Sequence, residues 1–158
     1  MIISQALGGR PAMVVFIDHT ECYWLQSLKR GFRHCFVALK HGRTWLVCDS
    51  LKSHMELTLL DLPPSFDLGR YYAAQGHRVL LGGTGLHVPR AAVALTPLTC
   101  VSVAKRLLAI RAAWVWTPWQ LFSHLLHDQP HIWRLVPAAR CRWTHRPEAR
   151  LTLDNSRQ

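Results

Sequence analysis

The apolar positions of this chain change period several times, and the changes mark out its elements. A short β-rich run at Met13–Ile17 is followed by Asp18-His19-Thr20, and then by a stretch from Glu21 to Leu28 that reads as a helix closed by Lys29-Arg30-Gly31. Two apolar runs, Phe32–Lys40 and Arg43–Ser50, flank His41-Gly42 and predict a β-hairpin, with Met55–Leu60 as a third strand ended by Leu62-Pro63-Pro64. Asp67 is placed to cap a short helix, Leu68–Gln75, which Gly76 closes before a strand at Arg78–Leu81. Gly82-Gly83-Thr84-Gly85 then breaks the chain, and Leu86–Leu95 reads equally as strand or as irregular.

Two helices complete the pattern. One spans Cys100–Ile110. The other opens with Thr117 as N-cap, Pro118 at the first helical position and Gln120 where a capping box needs it, and runs to about His127 with Leu121, Leu125 and Leu126 on its apolar side. Strands in sequence followed by helices predict an α+β fold, a small meandering antiparallel sheet with helices packed on one side.

The hairpin juxtaposes chemistry. With His41-Gly42 as a two-residue loop, Lys40 faces Arg43, Cys35 faces Cys48, and His34 faces Asp49. Opposed residues share a sheet face, close enough for the carboxylate to hold the imidazole in one tautomer. That is the base and orienter of a catalytic triad. The nucleophile expected to join them is Cys100, in Thr96-Pro97-Leu98-Thr99-Cys100. Whether Thr99 or Thr96 is the N-cap, Cys100 falls in the opening turn of its helix. There the positive end of the helix and a neighbouring imidazolium favour the thiolate, and its own N–H is free to meet an oxyanion.

A histidine on a strand, a polar partner on the next strand and then a cysteine at a helix N-terminus resemble the circularly permuted branch of the papain-like superfamily, the NlpC-type and lecithin retinol acyltransferase-like enzymes. The resemblance implies a nucleophile helix packed on a small antiparallel sheet, with Cys100 as nucleophile, His34 as base and Asp49 as orienter in thioester chemistry on amides or esters. Gly31-Phe32-Arg33-His34-Cys35-Phe36-Val37, Thr99-Cys100-Val101 and Thr117-Pro118-Trp119-Gln120 are also similar to small proteins of tailed phages and prophages, over roughly residues 13 to 127. The chain lacks an Asn-Cys-Glu-type nucleophile motif, and Asp49 stands where the acyltransferases commonly carry a second histidine. The expected activity is that of a cysteine hydrolase cleaving an amide, a thiol protease or cell-wall amidase, with a peptide or amide substrate and no cofactor. The rival readings are a non-catalytic virion or assembly protein bound to phage structural proteins, and a basic nucleic-acid binder.

Composition narrows the rest. With 158 residues, 49% apolar and 18% charged, the chain suits one globular domain over residues 1–136 followed by a basic tail at 137–158. The net charge of +10 would suit an anionic partner, and Arg140, Arg142, Arg146, Arg150 and Arg157 concentrate it in that tail, where weak nucleic-acid contact is expected. Five cysteines without a Cys-x-x-Cys pair point to reduced thiols, and the apolar run Ala12–Ile17 is too short for a signal peptide, so a cytoplasmic protein is expected, with virion association as the alternative. The most apolar stretch, Leu107–Trp119, is broken by Arg111, which argues against a membrane span.

Weaker constellations add no chemistry. Gly83-Thr84-Gly85 lacks the third glycine of a dinucleotide loop. His124, His127 and His131 are spaced for one helical face but interrupted by Pro130, and His19 with Cys22 is a bare pair; neither reads as a metal site. Trp114, Trp116 and Trp119 are expected in the core or a cleft wall.

Overall fold

The computed structural model describes residues 9–18, 26–50, 54–85 and 99–138. Residues 21–25 of the predicted helix at Glu21–Leu28, the undecided stretch Leu86–Leu95 and almost all of the basic tail lie outside them. Six strands form one open antiparallel sheet: β1 (Pro11–Ile17), β2 (His34–His41), β3 (Thr44–Ser50), β4 (Met55–Asp61), β5 (Arg78–Gly83) and β6 (Arg134–Leu135). Their spatial order is β4-β3-β2-β1-β5-β6. The first four strands are the expected meander, while β5 returns to the other side of β1, and β6 adds a short edge.

Among the described residues three helices complete the α+β fold: α1 (Leu68–Ala74), α2 (Cys100–Leu107) and α3 (Pro118–Ser123), the last continuing as a π-helical turn through Asp128. They do not all pack on one side. Alternation along β1 sends Ala12, Val14 and Phe16 to one face, where they meet Val101 and Ala104 of α2 with Leu121 and Phe122 of α3. Met13 and Val15 go to the other face, where α1 buries Leu68 and Ala73 against them. The central strands are apolar on both sides, so both faces require cover.

The hairpin turns one residue later than the sequence predicts. His41 pairs with Thr44, leaving Gly42-Arg43 as the loop, and Cys48 therefore faces Val37 instead of Cys35. The reason is conformational. A two-residue hairpin loop needs positive φ at its first position, and Gly42 adopts 59° there; a His41-Gly42 loop would force that strain on a histidine. The register thus moves by two residues, an even number, so each side chain keeps its face.

Asp67 accepts from the Arg70 N–H at 2.9 Å and starts α1 as expected. Helix α2 stops at Leu107, short of the predicted Ile110. Its end is a Schellman motif built on Ala109 at φ 57°, with the Ile110 N–H donating to the Lys105 carbonyl at 2.9 Å. At the far edge, β4 leaves Met55, Leu57 and Leu59 exposed, on the sheet face that carries α2 and α3 nearer the centre. No described helix is long and apolar enough to cross a membrane.

Candidate functional site

His34 opens β2, and Asp49 lies near the end of β3. Continuing the hairpin register by one step places Phe36 opposite Asp49, so His34 and Asp49 meet diagonally on one face instead of directly. Diagonal neighbours remain within reach of an aromatic side chain. His34 Nε2 lies 2.6 Å from Asp49 Oδ1, and the two side chains are 14% and 26% exposed.

The third member arrives from the other end of the chain. Thr99 is the N-cap of α2: its hydroxyl accepts from the Ser102 N–H at 3.1 Å, and the Ser102 hydroxyl accepts from the Thr99 N–H at 2.9 Å. This capping box makes Cys100 the first helical residue. Cys100 is partly buried, in contrast to the buried Cys35 and Cys48. Its thiol makes hydrogen-bonding contact with both His34 and Cys35.

These contacts set the protonation states. The Cys35 thiol and the His34 ring, with the His34 charge and the Cys35 backbone N–H, outweigh burial and bring the Cys100 thiol down from 9.0 to about 5. Burial opposes a charge on His34, yet hydrogen bonds to Asp49 and Cys100 and the negative charges of both raise it to about 10. Cys35 moves the other way: its hydrogen bond to Cys100 and its burial push its thiol well above the ordinary value. The stable arrangement at neutral pH is a Cys100 thiolate beside a His34 imidazolium, with Cys35 donating its S–H to the thiolate. Because Nε2 is held by Asp49, the ring nitrogen left for proton exchange with sulfur is Nδ1.

The structure therefore brings together the three residues singled out from the sequence. Sequence reasoning missed the contact of Cys35 with Cys100, having set Cys35 against Cys48. The available signal was only that Cys35 follows His34 directly; alternation puts Cys35 on the opposite face from His34, and that is the face on which α2 docks.

A cleft of about 400 Å³ opens at the same end of the sheet, lined by Phe16, Asp18, Gly31, Phe32, His77 and Arg78 among others. The Cys100, His34 and Asp49 side chains do not line it. It adjoins them through Phe16, the cross-strand partner of Cys35, and Phe32, two residues before His34. Phe32 also packs edge-on or tilted among Phe16, Phe122 and Trp119, with centroids 4.9 to 5.7 Å apart. Trp119 packs against the core, as expected, with Lys29 Nζ 3.0 Å from its ring centroid. Trp114 and Trp116 are instead exposed, at 53% and 65%.

His124 Nδ1 lies 2.7 Å from Asp128 Oδ2, and no group of three metal-ligating side chains occurs among the described residues. His19 and Cys22 lie outside the described residues. No protein-family model matches the chain, and no curated protein or solved structure is significantly similar to it.

Proposed function

We propose that this chain is a cysteine hydrolase that cleaves an amide bond by way of a thioester, with a fold of the permuted papain-like kind. One observation carries the reading: Cys100, in the first turn of a helix, contacts a histidine whose far nitrogen is held 2.6 Å from a carboxylate. A nucleophile, a base and an orienter in series are what acyl transfer requires.

In this mechanism the Cys100 thiolate attacks the carbonyl carbon. The N–H of Cys100, in the turn where amides have no intrahelical acceptor, donates to the oxyanion. His34 gives its Nδ1 proton to the departing amine, and the C–N bond breaks as the thioester forms. His34, now neutral, takes a proton from water, which attacks the thioester and releases the acid and the thiolate. Asp49 holds the ring in the tautomer and orientation that both steps use. The cleft beside Phe16 and Phe32 supplies a wall for the acyl or amine side of the substrate.

The test is acylation by an activated ester such as p-nitrophenyl acetate. A stoichiometric burst of nitrophenol is expected, with an acetyl group on Cys100 by mass spectrometry. The Cys100→Ser variant loses the burst, and His34→Ala slows it by about 10²-fold or more. A burst of unchanged size in Cys100→Ser, or no burst in the wild type, overturns the reading.

A further inference from the structure

We infer that Cys35 is a resolving thiol for Cys100, so that a hydroperoxide converts the pair into an intramolecular disulfide that closes the site. The inference rests on the hydrolase reading only for its regulatory consequence; the disulfide chemistry does not require it.

Four observations converge. Cys35 lies on β2 at 1% exposure within the core that α2 covers, and Cys100 packs against that same core. Helix α2 packs directly on β2, and the two thiols lie within hydrogen-bonding reach of each other, so sulfur stands near sulfur in the folded chain. Cys48, the other described cysteine, faces Val37 two positions further along the hairpin. Cys100 is also the partly exposed member of the three, while Cys35 and Cys48 are buried. An oxidant in solvent therefore reaches Cys100 first, and the thiol waiting behind it is Cys35.

The chemistry balances without a further reagent. The Cys100 thiolate attacks one oxygen of the hydroperoxide, the O–O bond breaks, and the departing oxygen takes the proton of the His34 imidazolium. The products are a Cys100 sulfenic acid and water or an alcohol. Cys35 sulfur then attacks the sulfenic sulfur, the S–O bond breaks, and the Cys35 thiol proton leaves with the hydroxide as water. Cysteine has been oxidised by two electrons and the peroxide reduced by two. A low thiol value, exposure and an adjacent second thiol are the properties expected of a redox-responsive cysteine.

Capture by Cys35 also has a protective consequence. A sulfenic acid with no thiol neighbour proceeds to sulfinic and sulfonic acids that thiols cannot reduce. The disulfide is recovered by exchange with a small dithiol.

The experiment treats the reduced full chain with one equivalent of hydrogen peroxide at neutral pH, quenches free thiols with N-ethylmaleimide and maps the peptides. The expected product carries Cys35 linked to Cys100 and is two hydrogens lighter. In Cys35→Ala, dimedone should trap the sulfenic acid on Cys100, with at least a tenfold rise in adduct over the wild type. In Cys48→Ala, the Cys35–Cys100 link should persist. Wild-type oxidation that leaves Cys35 free, or links Cys100 chiefly to another cysteine, overturns the inference. That wild-type result decides the matter alone if Cys35→Ala does not fold. The acylation burst, measured before peroxide, after it and after dithiothreitol, separates the two proposals. Loss and recovery support the switch, whereas no burst at any stage with the link formed refutes the hydrolase and the closing of its site, leaving the disulfide.

Discussion

The reactivity of Cys100 toward iodoacetamide gives the sharpest test of the electrostatics. A fall of the thiol from 9.0 to about 5 means that near pH 6 about 90% of Cys100 is thiolate, against about 0.1% of an ordinary cysteine. A more acidic thiol is a weaker nucleophile, and a Brønsted slope of about 0.4–0.5 over that interval removes about 40- to 100-fold. The surplus is about tenfold to twentyfold over a free thiol such as N-acetylcysteine at the same pH. Site-specific alkylation of the reduced chain, followed by peptide mass spectrometry across pH, reads both the rate and its inflection. The rate should rise as pH passes through about 5, hold a plateau, and change again near 10, where His34 gives up its proton. His34→Ala and Cys35→Ala should each move the lower inflection upward, because each removes a group that holds the thiolate. Partial burial slows the reagent at every pH without displacing the inflection, so the inflection decides. A single inflection near 9, insensitive to His34→Ala, would show that Cys100 is an ordinary thiol.

Other outcomes follow from single contacts. His34 is raised from 6.5 to about 10, so its contribution to stability is fully present below pH 6.5 and is lost as pH rises to about 10; Asp49→Asn should flatten that decline in urea midpoints. Replacing Ala109 with glycine should stabilise the chain by about 0.5–1 kcal/mol in urea unfolding, since a left-handed alanine costs about 1–2 kcal/mol and the added freedom of unfolded glycine returns part of it. Gly82→Ala should cost about 1–3 kcal/mol, because a Cβ there would lie 2.5 Å from the buried Trp133 ring; a thermal midpoint equal to the wild type would contradict the packing.

Local signals explain how much could be read in advance. Thr99 and Thr117 satisfy their capping boxes with residues three positions on, so the starts of α2 and α3 are legible within one turn. The end of α2 is not, because its left-handed residue is Ala109 and no glycine marks the stop. For the hairpin, His41-Gly42 pointed to the right turn but to the wrong pair of loop residues; face alternation protected the His34–Asp49 partnership from that error. The placement of α1 on the opposite face from α2 and α3 depends on the path taken to β5 across the sheet, a matter of tertiary packing with no signature in a helix of seven residues. The Cys35–Cys100 contact joins a strand to a distant helix, and periodicity within either says nothing of it.

The three members of the site come from very different depths in the chain's folding. His34 and Asp49 are 15 residues apart and belong to one hairpin, so their partnership needs only a short loop closed, an event of microseconds. Cys100 joins only when α2 docks on β2, a contact of long sequence separation whose closure entropy must be met before it stabilises anything. Until then the Cys100 thiol lacks His34 and Cys35 and behaves as an ordinary cysteine, largely protonated at neutral pH. A nascent or partly unfolded chain is accordingly poor at attacking its surroundings, and nucleophilicity is switched on by a long-range step of folding.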